Sequence, residues 1–489
     1  MADRAVTTSG GGERLSVVEK VGYGLGDTAA NFIFQTMVMF QLAFYTDTFG
    51  ITAAAAGTLL VVVRVWDAIF DPVMGIVADR TKTRWGKFRP WVLFTAVPFG
   101  IMGFLTFMTP DFTPAGKLVY AYATYIVLMM VYSANNLPYS ALSGVMTGDV
   151  AERTLLSSYR FVFAMIAQLV IQGLALPMVQ HFGQGNNAKG YQATMGIFSA
   201  LAVVFFFITF ATTRERIQPP PGQDTSVRRD FADLRKNGPW LVMFIVTLVL
   251  FITLSMRGSV VLYYFNYYVS KQALLPILGA LGLGATTATG AADHVRNVSF
   301  AFSAFNVLGT SSTIAGIFFS KRLALRYGKR NVFIGGLAGT ALFTAVFLFL
   351  PPGAVALMFA SEMLRQFVYG FTIPLLWAMM ADVADFSEWK TGRRATGMVF
   401  AAIVFALKAG LGFGGAITGY VLTLYGYVPN VPQAAGALTG IRYTMSIFPA
   451  VTFAICAACL CFYRIDKRSE IQMAGELAER RRLSAPHGA

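Results

Sequence analysis

Apolar residues run in long blocks along this chain, separated by short polar or basic stretches. Blocks long enough to cross a bilayer as helices, about 20 residues, lie near 22–46, 54–78, 90–109, 117–146, 157–180 and 191–212. After a polar stretch, six more follow near 240–268, 297–320, 331–350, 353–381, 395–425 and 441–463. The pattern predicts twelve transmembrane helices and an all-α integral membrane protein. It divides the chain into a tail over 1–21, a six-helix bundle over 22–212, a linker over 213–239, a second bundle over 240–464 and a tail over 465–489. The last of these reads as a short surface helix ending in Arg480-Arg481-Arg482. No cleavable signal peptide is expected: residues 1–20 are polar, and the first apolar run is too long for a signal's core.

Composition agrees with a bilayer as the solvent. Of 489 residues 56% are hydrophobic and 13% charged, against about 25% charged in soluble domains. The net charge of +15 could suggest nucleic acid, but its placement argues otherwise. Arg80, Lys82, Arg84, Lys87 and Arg89 join spans two and three; Arg214, Arg216, Arg228, Arg229, Arg235 and Lys236 join six and seven; Lys321, Arg322, Arg326, Lys329 and Arg330 join eight and nine. The opposite connections hold little beyond Lys117, Lys189, Lys271 and Arg296. The positive-inside rule then puts both termini in the cytoplasm and makes the basic excess topological. Nucleic acid is not an expected partner. Cys456 and Cys459 have a CxxC spacing, but within an apolar span with no nearby histidine they read as packing residues.

The chain repeats itself at half its length. Asp79-Arg80-Thr81-Lys82-Thr83-Arg84-Trp85-Gly86-Lys87 after span two matches Lys321-Arg322-Leu323-Ala324-Leu325-Arg326-Tyr327-Gly328-Lys329 after span eight. Pro138, Asp149 and Glu152 recur with identical spacing as Pro374, Asp385 and Glu388. Together with twelve spans these matches indicate two pseudo-symmetric halves, the arrangement that encloses a midplane cavity. The Pro219-Pro220-Pro221-Gly222 stretch reads as the hinge between them.

Ionisable residues inside the spans need a reason, since a charge at the bilayer centre costs about 2.5–3.5 kcal/mol even on lenient scales. Arg64, Asp67 and Asp71 share about one third of the circumference of span two. They form either a structural ion pair or a cation site; the arginine can neutralise only one of the two carboxylates, which favours the cation site. Asp27, Asn31 and Gln35 share a face of span one. Tyr132, Ser133, Asn135 and Asn136 precede Pro138 in span four, Arg160 opens span five, and Lys408 stands alone in span eleven. Asn31 and Asn136 are equally compatible with plain interhelical hydrogen bonds. Tyr23, Tyr132, Trp66 and Trp377 could stack on a sugar or simply sit in membrane helices. Arg257, Glu362 and Arg365 either hold one facing state through salt bridges or lie near an interface.

Tyr23-Gly24-Leu25-Gly26, Tyr45-Thr46-Asp47, Arg64-Val65-Trp66-Asp67-Ala68 with Asp71-Pro72, and Arg84-Trp85-Gly86-Lys87-Phe88-Arg89-Pro90-Trp91 occur in order. Pro138-Tyr139-Ser140-Ala141-Leu142, Asp149, Tyr159-Arg160-Phe161, Met380-Ala381-Asp382-Val383-Ala384-Asp385 and Lys408 follow. In these motifs the chain resembles the glycoside–pentoside–hexuronide:cation symporters, the melibiose permease group of the major facilitator superfamily. The resemblance implies twelve helices in two six-helix bundles and no catalytic residues. It implies a cation site at Asp67, Asp71 and Ser133, the metal ligands if the coupling ion is Na⁺, and a substrate site at Asn31, Tyr132, Asn136, Arg160 and Lys408. Asn31 and Asn136 stand where melibiose permease has aspartates, and Ser140 where it has tryptophan. That departure puts galactosides in doubt. With those acids gone Arg160 and Lys408 would leave a more positive sugar site, which suits a hexuronide as well as a neutral pentoside.

The expected function is therefore symport of Na⁺ or H⁺ with a glycoside, pentoside or hexuronide by a monomer in the lipid bilayer, without a cofactor. An uncoupled sugar facilitator is the alternative. A membrane enzyme would need a constellation that His181, His294 and His487, scattered in connections and tail, do not supply.

Overall fold

The computed structural model describes residues 14–147, 150–216, 237–283, 291–391 and 396–484. Residues 1–13, Asp149, linker residues 217–236 with the proline hinge, and 284–290 of the Ala/Gly-rich connection lie outside the described residues. So do the last residues of the tail, 485–489.

Sixteen α-helices make up the described chain: α1 (Val17–Ala43), α2 (Ala53–Arg80), α3 (Arg89–Thr106), α4 (Pro114–Met146), α5 (Val150–Gly183) and α6 (Asn187–Thr212). Then come α7 (Gly238–Tyr263), α8 (Leu274–Ala280), α9 (Ala291–Tyr327), α10 (Lys329–Val346), α11 (Val355–Gly370), α12 (Thr372–Thr391), α13 (Thr396–Leu424), α14 (Ala435–Met445), α15 (Ile447–Leu460) and α16 (Lys467–Ser484). Ten helical stretches among the described residues are long and apolar enough to cross a membrane. The first and ninth predicted spans are helical as well, but polar residues such as Asp27, Asn31 and Gln35 dilute α1. Spans ten and twelve are each built from two helices, broken at Phe371 and Ser446.

Local chemistry sets several boundaries. α1 starts five residues before the predicted span because Ser16 and Glu19 form a capping box that closes its first turn. α5 starts at Val150, so Arg160 lies well inside it rather than opening it. The linker is partly fastened: the Glu215 carboxylate accepts the backbone N–H groups of Lys87, Phe88 and Arg89 at 2.7–2.8 Å, and Arg216 pairs with Glu19 at 2.7 Å. The repeated loop motif has a repeated shape, with Gly86 at φ 111° and Gly328 at φ 83°, a backbone that glycine adopts without strain. Both α1 and α7 run into a π-helical turn, Phe44–Phe49 and Tyr264–Tyr268. The tail helix α16 docks on the second half through Trp389–Glu476 (2.6 Å) and Lys329–Glu470 (2.9 Å).

The halves touch unevenly. In the first, α1 packs on α5 and α6, α3 on α4 and α6, and α2 on α4; across the seam α2 meets α13, α5 meets α9 and α1 meets α7. One apolar core fills the first half and continues into the second through Tyr263, Phe302, Phe359 and Met445, all near the end that carries the π turns. A separate core fills the end of the second half that carries α16. Gly57 and Gly75 lie about five turns apart on one face of α2. A Cβ at Gly57 would come within 2.9 Å of the Ala416 carbonyl on α13, whereas one at Gly75 would meet nothing within 4 Å. The halves are joined at the π-turn end and apart at the end carrying the termini.

Candidate functional site

The face of α2 turned toward α4 and α13 carries the predicted carboxylates. Asp67 is buried at 2% exposure. The Ser133 hydroxyl, from α4, donates to its Oδ1 at 2.8 Å, and Arg64 approaches its Oδ2 at 3.7 Å. The Arg64 stem fits against α13 because residue 412 is glycine; a Cβ there would lie 2.9 Å from Arg64 Nε. Lys408, on α13 of the other half, places Nζ 3.7 Å from Asp67 Oδ2 and hydrogen-bonds Asp71 Oδ2. Asp71 Oδ1 is buried with no hydrogen-bond partner. The three residues predicted for the cation thus converge around the ammonium of Lys408.

A second cluster lies on α1, α4 and α5. Arg160 Nε donates to Asp27 Oδ1 at 3.0 Å, and Asn31 Nδ2 reaches the Asp27 carbonyl at 2.8 Å and its Oδ2 at 3.3 Å. The Arg160 guanidinium sits over the Tyr139 ring, 5.3 Å from its centroid. Tyr132 stacks on Phe34 at 5.1 Å, and Phe34 also underlies Arg64, so a shared aromatic wall joins the clusters. Asn136 is half-buried and makes no hydrogen bond among the described residues, one turn from Tyr132. The second asparagine of that pair, Asn135, is buried against Thr95 at 2.8 Å.

Several expectations change. The sugar site is not left positive: Asp27 neutralises Arg160, and Asp67 with Asp71 neutralises Lys408. Lys408 contacts Asp67 and Asp71 and, among the described residues, makes no ion pair or hydrogen bond with Asn31 or Asn136. Tyr23 is a packing residue, stacked on Tyr139 at 4.7 Å and fully buried, and Trp377 rests partly buried on the core of the second half. Glu362 is held by both Arg257 and Arg365 within the second half, so this triad braces one bundle and does not cross the seam. Sequence reasoning placed Asp27 on the polar face it shares with Asn31 but did not foresee its pairing with Arg160. It also missed a cluster at the π-turn end, whose signal was Tyr45-Thr46-Asp47. There Asp47 Oδ1 accepts Tyr427 at 2.6 Å, its Oδ2 accepts Tyr267 at 3.3 Å, and its carbonyl accepts Asn430 at 2.7 Å.

A many-helix membrane frame with opposed charges buried at the seam of two halves has the form of a transporter. A family model described as MFS/sugar transport protein matches residues 22–292 and 291–467, and the chain belongs to that family, within its glycoside–pentoside–hexuronide symporters. It is similar to the putative glycoside/cation symporter YagG of Escherichia coli (strain K12), with 36% identity over 459 residues, 94% of each chain. It is also similar to the isoprimeverose transporter of Lactiplantibacillus pentosus, with 34% identity over 456 residues, 92% of this chain and 89% of that one. Among solved structures, a D-xylose-proton symporter superposes with a TM-score of 0.59 at 15% identity, over 92% of this chain and 96% of the other; that likeness shows the fold. The protein is a multi-pass membrane transporter and not an enzyme.

Proposed function

We propose that this carrier couples the inward movement of Na⁺ or H⁺ to uptake of a glycoside, pentoside or hexuronide, by alternating access, with both termini in the cytoplasm. The observation that carries the reading is Lys408 of one half lying between Asp67 and Asp71 of the other. With Arg64 beside them, two cations balance two carboxylates when no ion is bound. A cation arriving at Asp67, Asp71 and Ser133 competes with the ammonium for the same oxygens, so loading the ion releases an ionic contact between the halves. Hard carboxylate and hydroxyl oxygens suit Na⁺, and a proton can neutralise one carboxylate of the pair. The sugar would lie on the adjoining wall, its hydroxyls meeting Asn31, Asn136, Arg160 and Asp27 and its ring meeting Tyr132. Amides can both donate and accept there. The splayed terminal end and joined opposite end support an inward-facing carrier.

The test is uptake into right-side-out vesicles under an imposed Na⁺ gradient, then a pH gradient, across neutral and acidic glycosides. Accumulation under one gradient names the ion, and Asp67→Asn abolishes it while the protein still reaches the membrane. Accumulation by Asp67→Asn would refute the ion site, and equilibration without accumulation in the parent would make the protein a facilitator.

A further inference from the structure

A cavity of about 670 Å³ opens at the π-turn end, away from the ion and sugar clusters. It lies on the seam: Asp47, Gln180 and Asn187 come from the first half, and Asn266, Tyr267 and Asn430 from the second. Its polar lining includes the carboxamides of Gln180, Asn187, Asn266, Asn430 and Gln433 beside Lys271 and His294; carboxamides donate and accept at once and so match the paired character of sugar hydroxyls. An aromatic ring at Tyr267 offers the flat apolar surface that sugar C–H groups need. Asn266 makes no hydrogen bond among the described residues although it faces this space. The wall of the cavity is also what holds the halves together here. Asp47 alone takes bonds from Tyr267, Tyr427 and Asn430 of the other half, and its neighbour Thr46 shares a 2.7 Å bond with Tyr263.

We infer that this cavity is an outer antechamber for the transported sugar, whose hydroxyls replace the cross-seam bonds on Asp47 and so unlatch the closed outer end. This rests on the carrier function and on the orientation proposed above. The exchange is near neutral in energy, because each phenol or amide bond broken is matched by one to a sugar hydroxyl. External sugar then opens the path to the central site, and an empty antechamber leaves the end shut. Sugar arriving from the cytoplasm reaches the central site without passing this cavity, so loading from that face does not depend on it.

That asymmetry is the test. Half-saturating sugar concentrations are measured from each face, in right-side-out and inside-out vesicles, for the parent, Asn266→Leu and Asn187→Leu. Both variants are expected to need about threefold to tenfold more external sugar, the worth of one or two neutral hydrogen bonds, with the cytoplasmic value unchanged. The unchanged value also reports that the variants fold. In an Ala43→Cys background, an impermeant maleimide added outside should label faster when sugar is present, and Tyr427→Phe should label fast without it. Equal effects on the two faces, no effect on either, or labelling indifferent to sugar and to Tyr427→Phe would overturn the inference. A parent that carries no sugar from either face would instead refute the proposed function.

Discussion

Glu362→Gln should destabilise the second half severely while leaving transport by surviving molecules intact. The carboxylate accepts Arg257 at 3.3 and 2.7 Å and Arg365 at 3.0 and 2.6 Å, with all three side chains at most 5% exposed. Breaking a buried ion pair costs about 3–5 kcal/mol because the remaining charge is stranded away from water. Here the change strands two guanidiniums beside one another, and a neutral amide also turns an N–H₂ group toward donors. The upper part of that range is expected, roughly a thousandfold in the folding equilibrium. A native reporter exists: Cys456 is 1% exposed in the core of the same half, so a thiol-reactive dye reads its unmasking on heating. The midpoint should fall by several degrees in purified protein. Because the triad lies inside one half, half-saturating sugar at low temperature should stay within about twofold, well under the tenfold that 1.4 kcal/mol would give. An unchanged midpoint, or an unchanged midpoint with altered affinity at one face, would refute the brace and assign the triad to gating.

Three further outcomes follow from the geometry. Ser133→Ala removes the hydroxyl that touches Asp67 at 2.8 Å; a hydrogen bond to a charged group is worth about 1.5–3 kcal/mol, so half-maximal Na⁺-driven uptake should shift about tenfold or more upward, and an unshifted Na⁺ titration would remove Ser133 from the ion site. Gly57→Leu should force the α2–α13 crossing apart, because even a Cβ would lie 2.9 Å from the Ala416 carbonyl. Labelling of Ala43→Cys from outside should rise without sugar, and unchanged labelling would show that the contact does not hold the outer end shut. Lys329, outside the membrane spans, is opposed by burial, which lowers its proton affinity, but the hydrogen bonds to Asp382 and Glu470 outweigh this and raise it. The anchoring of α16 it supplies is then full below the usual lysine value of 10.5 and is lost only as pH rises through the elevated one. Protease cleavage within α16 should therefore stay slow through neutral pH and quicken only in strong alkali; cleavage that quickens near pH 7 would contradict it.

Much of the frame was legible in the sequence because the bilayer imposes a simple rule: a backbone in hydrocarbon must satisfy its own hydrogen bonds, so a long apolar block becomes a helix. Arg64, Asp67 and Asp71 were readable for the same reason, since helical spacing puts them on one face and burial of charge demands partners. The sequence repeat that pointed to two halves also holds a glycine at positive φ in each copy, Gly86 and Gly328. What helical spacing cannot reveal is which face of another helix arrives opposite. Lys408 stood out as an isolated lysine, and the resemblance put it between the cation and sugar sites, but across a 337-residue separation only the packed helices show its direct contact with Asp71. Asp27 was legible as a polar residue on a buried helix face, but its spacing could not show that Arg160 lies beside it, and that pair offsets the positive charge expected there. Asp47 is one acid at the end of a span; only the packed seam gives it Tyr267, Tyr427 and Asn430. Local periodicity thus determined the helices and their polar faces, while charge balance, the partners of the buried charges and the joined π-turn end depended on contacts between distant segments that only tertiary packing creates.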